Sequence, residues 1–194
     1  MRALIHKQYP AYCLFTSRRA RKGGKIDIIT LVHIKMAARA SLLDFSKEFA
    51  PLAAQAPEAL DQVHFVRILD PEGQVLVLLG NVHQYQARES MPQAAVHSLV
   101  NPVLDRWGAD SQHAIVGGDK SLAPRLGYAV ETVTSAADAR FAQWVREAGL
   151  SYIPPSSHTW TDGRRRAVLD AFVVGKPGSL ESLDHPTCVE SRDP

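Results

Sequence analysis

His113-Ala114-Ile115-Val116-Gly117-Gly118-Asp119 is the stretch on which the fold turns. Its first four residues end in a β-branched pair and read as a short buried strand. Two glycines then let the chain turn tightly and approach a neighbour closely. The acid follows at once. A carboxylate delivered at the C-terminal end of a strand is well placed for a substrate or a metal. A turn aspartate bonding its own backbone is the plainer alternative for Asp119.

Working upstream, Val63 to Leu69 and Gln74 to Asn81 read as two strands joined by Asp70-Pro71-Glu72-Gly73, which is turn chemistry. Between this hairpin and the strand at His113, residues Val96, Leu99, Val100, Val103, Leu104 and Trp107 fall on one helical face. Pro102 inside that pattern predicts a kink or a reset start. Ile26 to Ile34 is rich in β-branched residues and predicts a strand. Ser41 to Ala54 predicts a helix opened by a Ser-x-x-Asp cap. Residues 1–25 are basic and Gly-punctuated and read as an irregular extension, so the domain is expected over 26–194.

Downstream, Ser135 with Asp138 opens a helix carrying Phe141, Trp144, Val145 and Ala148 on one face, with Gly149 as its stop. His158 to Thr161 and Arg166 to Val174 predict strands across an Asp162-Gly163 turn. Strand pairs interleaved with single helices point to an α/β or α+β layered domain.

The chain has 194 residues, 45% of them hydrophobic, enough for one domain with a sizeable core. Its formal net charge of +2 supplies no global field for a polyanion. Arg18-Arg19-Ala20-Arg21-Lys22 and Arg164-Arg165-Arg166 are compact basic clusters that could touch phosphates or lie in solvated loops. Cys13 and Cys188 make no disulfide framework and no zinc spacing. There is no apolar run of signal-peptide or membrane-spanning length, so the expectation is an intracellular protein, cytoplasmic or nuclear, with no membrane partner.

Asp170 sits in a run whose alternate residues, Val168, Phe172, Val174 and Leu169, Ala171, Val173, make both strand faces apolar. A buried carboxylate needs a partner. His185 is the best candidate, and a backbone donor is the alternative. Asp184-His185 places an acid beside the side chain most suited to proton transfer near neutral pH, although such a pair in a tail is commonly surface decoration. His83 follows Asn81 at the hairpin exit and says nothing alone. The other histidines show no metal spacing.

Taken in order, these segments resemble the endonuclease/exonuclease/phosphatase superfamily, the deoxyribonuclease-I-like fold, and most closely the endonuclease regions of LINE-type retrotransposons. Gly118-Asp119-Lys120-Ser121 stands for the family's Gly-Asp-x-Asn. Thr159-Trp160 stands for its Thr-Trp segment, and Leu169-Asp170 for its Ile/Leu-Asp strand. Ser182-Leu183-Asp184-His185-Pro186 approximates Ser-Asp-His-x-Pro, and Asn81-Val82-His83 approximates Asn-x-Tyr. The resemblance covers roughly Ile26 to Val189 and implies a two-layer α/β sandwich.

It also implies roles. Asp119 would orient or deprotonate the attacking water. Asp184 would lie near a divalent metal, Mg²⁺ or Mn²⁺. His185 would contact the scissile phosphate or move a proton, with Asp170 fixing its tautomer. His83 would take the place of the family's Tyr. Asn81, Ser121, Arg164 and Arg165 would contact nucleic acid, with DNA as the partner. Three departures matter. Ser121 replaces an Asn, His83 replaces the Tyr, and nothing matches the family's first strands with their Asn and metal-binding Glu. Without that Glu, Mg²⁺ is expected to bind weakly. The expectation is therefore a partial or decayed metal-dependent phosphodiesterase lacking the N-terminal strands of one sheet. A rearranged site using Glu48, Glu72 or Glu89 is a second reading, and a non-enzymatic nucleic-acid-binding or interaction module a third.

Overall fold

A computed structural model of the protein describes residues 7–21, 24–82, 93–108, 113–118, 136–153, 160–161, 166–167 and 172–175. Its centre is a six-stranded mixed sheet. The strands are β3 (Ala40–Leu42), β4 (Val63–Leu69), β5 (Val75–Val82), β6 (His113–Gly117), β10 (Phe172–Gly175) and β7 (Leu150–Ile153), in that spatial order. β5 and β6 run parallel, and the other neighbouring pairs run antiparallel. The parallel pair requires a crossover, and the helix α4 (Gln93–Val103) lies within it.

The two faces of this sheet are covered differently. Val63, Phe65, Leu78, Val116 and Val173 face a helical layer that includes α4 and α5 (Ala136–Glu147). α4 presents Val96, Leu99, Val100 and Val103, the stripe its spacing predicts, and α5 presents Phe141, Trp144 and Val145. Gly149, at φ +62°, ends that helical segment as expected. The opposite face carries Val66, Ile68, Val77 and Leu79. Against it packs a hairpin of β1 (Tyr12–Arg21) and β2 (Gly24–His33), through Phe15 and Val32, with the one-turn helix α1 (Ile34–Ala37) following β2. The result is a layered α/β domain with a helical layer, a central sheet and a second β-layer.

Several expectations are corrected. Residues 1–25 were expected to be irregular, yet Tyr12–Arg21 pairs along its whole length with β2, from Tyr12↔His33 to Arg21↔Gly24. The basic composition hid a strand whose Phe15 packs against the sheet. The helix expected over Ser41–Ala54 is broken up. Ser41 belongs to β3, Asp44 is the cap that accepts from the Ser46 N–H at 3.1 Å, and α2 (Phe45–Glu48) stops before α3 (Ala50–Gln55). Pro51 explains the stop, because its ring would collide with the carbonyl four residues back in a continuous helix. α4 continues through Pro102, and the chain then widens into a π-turn at Leu104–Gly108. β7 was not anticipated. The strand expected over Arg166–Val174 is described as two pieces in different sheets. β9 (Arg166–Ala167) pairs with β8 (Trp160–Thr161), while Phe172–Gly175 joins the main sheet.

Candidate functional site

Register brings one residue from each of five adjacent strands into a row across the sheet. His64 pairs with Asn81, Asn81 with Gly117, and Phe172 with Ile153. Gly117 and Phe172 join the two halves, because a Cβ on Gly117 would lie 2.5 Å from the Phe172 ring. At this edge β5, β6 and β7 end, while β4 and β10 begin. In sheets containing parallel strands, the carboxyl ends of those strands are where ligands gather.

The parallel ends of β5 and β6 form the centre of the row. Gly118 follows β6 with φ +124°, a conformation side-chain-bearing residues rarely adopt. A Cβ there would strike the Val82 carbonyl oxygen and would lie 2.7 Å from Asn81 Oδ1. The glycine therefore does what the sequence reading required: the turn sits directly on the neighbouring strand, against the Asn81 carboxamide. Phe172 is 44% exposed and covers Gly117, an arrangement that a larger residue at 117 would prevent.

The sequence reading did not single out His64, which the structure places in this row. It faces the β1–β2 layer, is 1% exposed, and its Nδ1 lies 2.9 Å from Ser17 Oγ. Its Nε2 has no hydrogen-bond partner among the described residues. Burial lowers its pKa from 6.5 to about 4, so the ring is neutral at physiological pH. The alternation His64, Val66, Ile68 foretells a buried face. Nothing in the sequence foretells Ser17, 47 positions away.

Of the expected site residues, Asn81 alone lies within the described residues. His83, Asp119, Ser121, Arg164, Arg165, Asp170, Asp184 and His185 lie outside them. Two of the proposed substitute acids are placed elsewhere. Glu48 pairs with Arg67 at 2.6 Å, and Arg67 in turn lies over Trp107, on the helical face. Glu72 sits in the turn between β4 and β5, at the opposite end of those strands from His64 and Asn81. Glu89 lies outside the described residues. Among the described residues no group of three or more His, Cys, Asp or Glu could hold a metal. No described helix is long and apolar enough to cross a membrane.

No family model matches the chain, and no curated protein matches it. Solved structures do. The endonuclease domain of TRAS1, a telomere-specific non-LTR retrotransposon, is 14% identical with a TM-score of 0.50, covering 82% of this chain and 64% of that domain. An endonuclease/exonuclease/phosphatase family protein from Leptotrichia buccalis is 14% identical, with a TM-score of 0.46 over 85% of this chain and 60% of that one. A humanized D. rerio TDP2 is 12% identical, with a TM-score of 0.47 over 91% and 66%. The chain thus spans less than two thirds of the length of each. The mixed six-stranded sheet, its helical layer and the match to the retrotransposon domain lead to one conclusion: this chain has an endonuclease/exonuclease/phosphatase-like, deoxyribonuclease-I-like fold.

Proposed function

We propose that this chain is a partial or decayed phosphodiesterase domain of the retrotransposon-endonuclease type, which holds a DNA phosphodiester at the strand-end edge and turns it over slowly. The observation that carries the reading is the close seat of Gly118 on Asn81 at the parallel ends of β5 and β6. His83 directly follows β5, Asp119 directly follows Gly118, and Asp170 stands two residues before β10. Three separate chain segments thus lead, in sequence, from one edge to the residues the resemblance makes functional.

In this reading Asp119 orients the attacking water and accepts its proton. His185 contacts the scissile phosphate and moves a proton, held in one tautomer by Asp170. Asn81 and Ser121 contact the nucleic-acid backbone, as do Arg164 and Arg165. His83 donates to the phosphate where the family uses a Tyr. Negative charge concentrates at the reacting centre, so these donors act where stabilisation counts most.

A bound Mg²⁺ or Mn²⁺ would supply Lewis-acid chemistry through Asp184. The described edge does not fit such an ion well. Of the five residues in the row, Asn81 alone offers a side-chain oxygen, and hard cations of this kind take several. Its binding is expected to be weak, and the proton-transfer and phosphate-contact roles above belong to the chain's own side chains. The departures at the family's own positions, Ser121 for its Asn and His83 for its Tyr, favour a second reading, a module that binds nucleic acid without cleaving it.

The test is nicking of supercoiled plasmid with Mg²⁺ or Mn²⁺ by the parent and by His185→Ala. Slow nicking by the parent that the variant lacks supports the hydrolase. DNA binding without nicking by folded protein supports the binding module. Neither binding nor nicking sinks both, and equal nicking by parent and variant removes His185 from the chemistry.

A further inference from the structure

The strand-end row has a common face. Val63, Phe65, Val82, Val116 and Val173 belong to the core beneath the helical layer. Side chains alternate along a strand, so His64, Asn81, Gly117 and Phe172 turn to the opposite face. His64 and Asn81 bring polar groups to that face, and Phe172 brings an aromatic ring that is 44% exposed.

Exposure there is local to the edge. Val174, two residues along the same face of β10, is 4% exposed, so the face is closed at Val174 and opens at Phe172. The ring is also held in place. A Cβ on Gly117 would lie 2.5 Å from Phe172 Cε1 and 2.8 Å from Cδ1, and Gly117 is buried. An aromatic laid across a glycine of the next strand fills the missing side chain's volume with one edge and leaves the rest of the ring to solvent.

The surroundings decide what such a ring can face. The other exposed large apolar side chains among the described residues lie elsewhere. Tyr9, Tyr12 and Ile34 gather at the Tyr12–His33 end of the β1–β2 hairpin, away from Ser17 and His64. Leu42 is on β3, four strands away. A protein interface draws on a contiguous apolar patch, and one ring in a row with a carboxamide is not such a patch. A single planar ring suits a single planar partner, and every nucleobase has such a face. Neighbouring strands lie about 4.8 Å apart, so β10 and β5 are separated by about 10 Å, with Gly117 between Phe172 and Asn81. That separation leaves room for one nucleotide.

We propose that Phe172 is a stacking platform for one nucleobase of an unpaired DNA strand whose backbone runs toward Asn81 and Gly118. The DNA itself comes from the proposed function, on which this assignment rests. A base lying on a protein ring has left its own stack, so the bound strand is single or locally opened at this point. Stacking on a neutral ring tolerates any base and adds nothing to the salt dependence that phosphate contacts create.

The experiment is the affinity of the full chain, of Phe172→Leu and of Phe172→Tyr for a single-stranded oligodeoxynucleotide and for an abasic one of the same length. Leu keeps an apolar cover over Gly117 and removes the ring, and Tyr restores the ring. The parent should prefer the base-bearing oligonucleotide by about 5- to 150-fold. Phe172→Leu should lose that preference and Phe172→Tyr should keep it. The two oligonucleotides carry the same phosphates, so the abasic one should bind the parent and the Leu variant alike, with one salt slope throughout. A Leu variant that keeps the parent's preference overturns the proposal. So does an equal loss on both oligonucleotides, the mark of a merely structural ring. If Phe172→Leu does not fold, the full chain decides, and the absence of a preference for bases overturns the proposal. Plasmid nicking keeps the two readings apart. A chain that nicks without preferring bases retains the hydrolase and loses the platform, and a Phe172-dependent preference without nicking retains the platform and loses the hydrolase. Binding to neither oligonucleotide overturns the platform outright.

Discussion

His64 should make the folded protein acid-sensitive, and the size of the effect follows from its position. The ring lies between two β-layers, 1% exposed, with one nitrogen on Ser17 and the other without a partner among the described residues. Burial lowers its pKa to about 4 in the fold, against 6.5 in an unfolded chain. The unfolded state therefore binds the proton more tightly, and stability rises with pH across this window. The contribution is complete above pH 6.5 and is lost progressively as pH falls toward 4. The full shift is worth about 3 kcal/mol, and the part lost by pH 5 is about 2 kcal/mol. The assay is urea unfolding of the parent and of His64→Gln at pH 7.5 and pH 5. Gln stays neutral and can still bond Ser17, while carboxylates titrate alike in both proteins and cancel. The parent should lose about 2 kcal/mol more than the variant, a melting-temperature difference of roughly 4–8 °C for a chain this size. Equal losses in the two proteins would show that His64 titrates as an ordinary solvated ring and would refute the reasoning.

Two further substitutions probe the edge and its surroundings. Gly118→Ala places a Cβ against the Val82 carbonyl and Asn81 in a backbone conformation only Gly accepts readily, and should cost about 2 kcal/mol or more in urea unfolding. Adding Asn81→Gly should recover only part of that loss, because the Val82 obstacle is backbone. Glu48→Gln should cost about 1 kcal/mol by loosening Arg67 from its partner, and should leave the Mg²⁺ dependence of any nicking unchanged. A weakened metal dependence in that variant would return Glu48 to the site.

Local patterning accounts for much of the fold. The β4–β5 hairpin was readable because turn residues and alternating side chains agree there. β6 was readable because an apolar run breaks at two glycines. The stripes of α4 and α5 were readable because burial on one side imposes their period. β1 was not readable. Its Arg18, Arg19 and Arg21 are poor witnesses to a strand, and what keeps it in place is Phe15 and Ser17 against residues some fifty positions away. The helix expected from Ser41 failed for a local reason, since Pro51 and the Asp44 cap together dictate shorter pieces.

The candidate site divides in the same way. Which residue types can do phosphodiester chemistry, and in what order they occur, is a property of the sequence: Asp119 after its glycines, Asp170 in an apolar run, Asp184-His185 in the tail. The glycines themselves are in the sequence, but the lack of room for a side chain at 118 comes from the neighbouring strand, whose Val82 carbonyl a Cβ there would strike. Only the tertiary structure decides which strand ends meet. Pairing in register sets Asn81 beside Gly117 and His64 beside Asn81, sends Glu48 to Arg67 and leaves Glu72 at the far end of β4 and β5. Those outcomes depend on hydrogen bonds and packing between segments distant in the chain. Such contacts leave no periodic trace in any one segment.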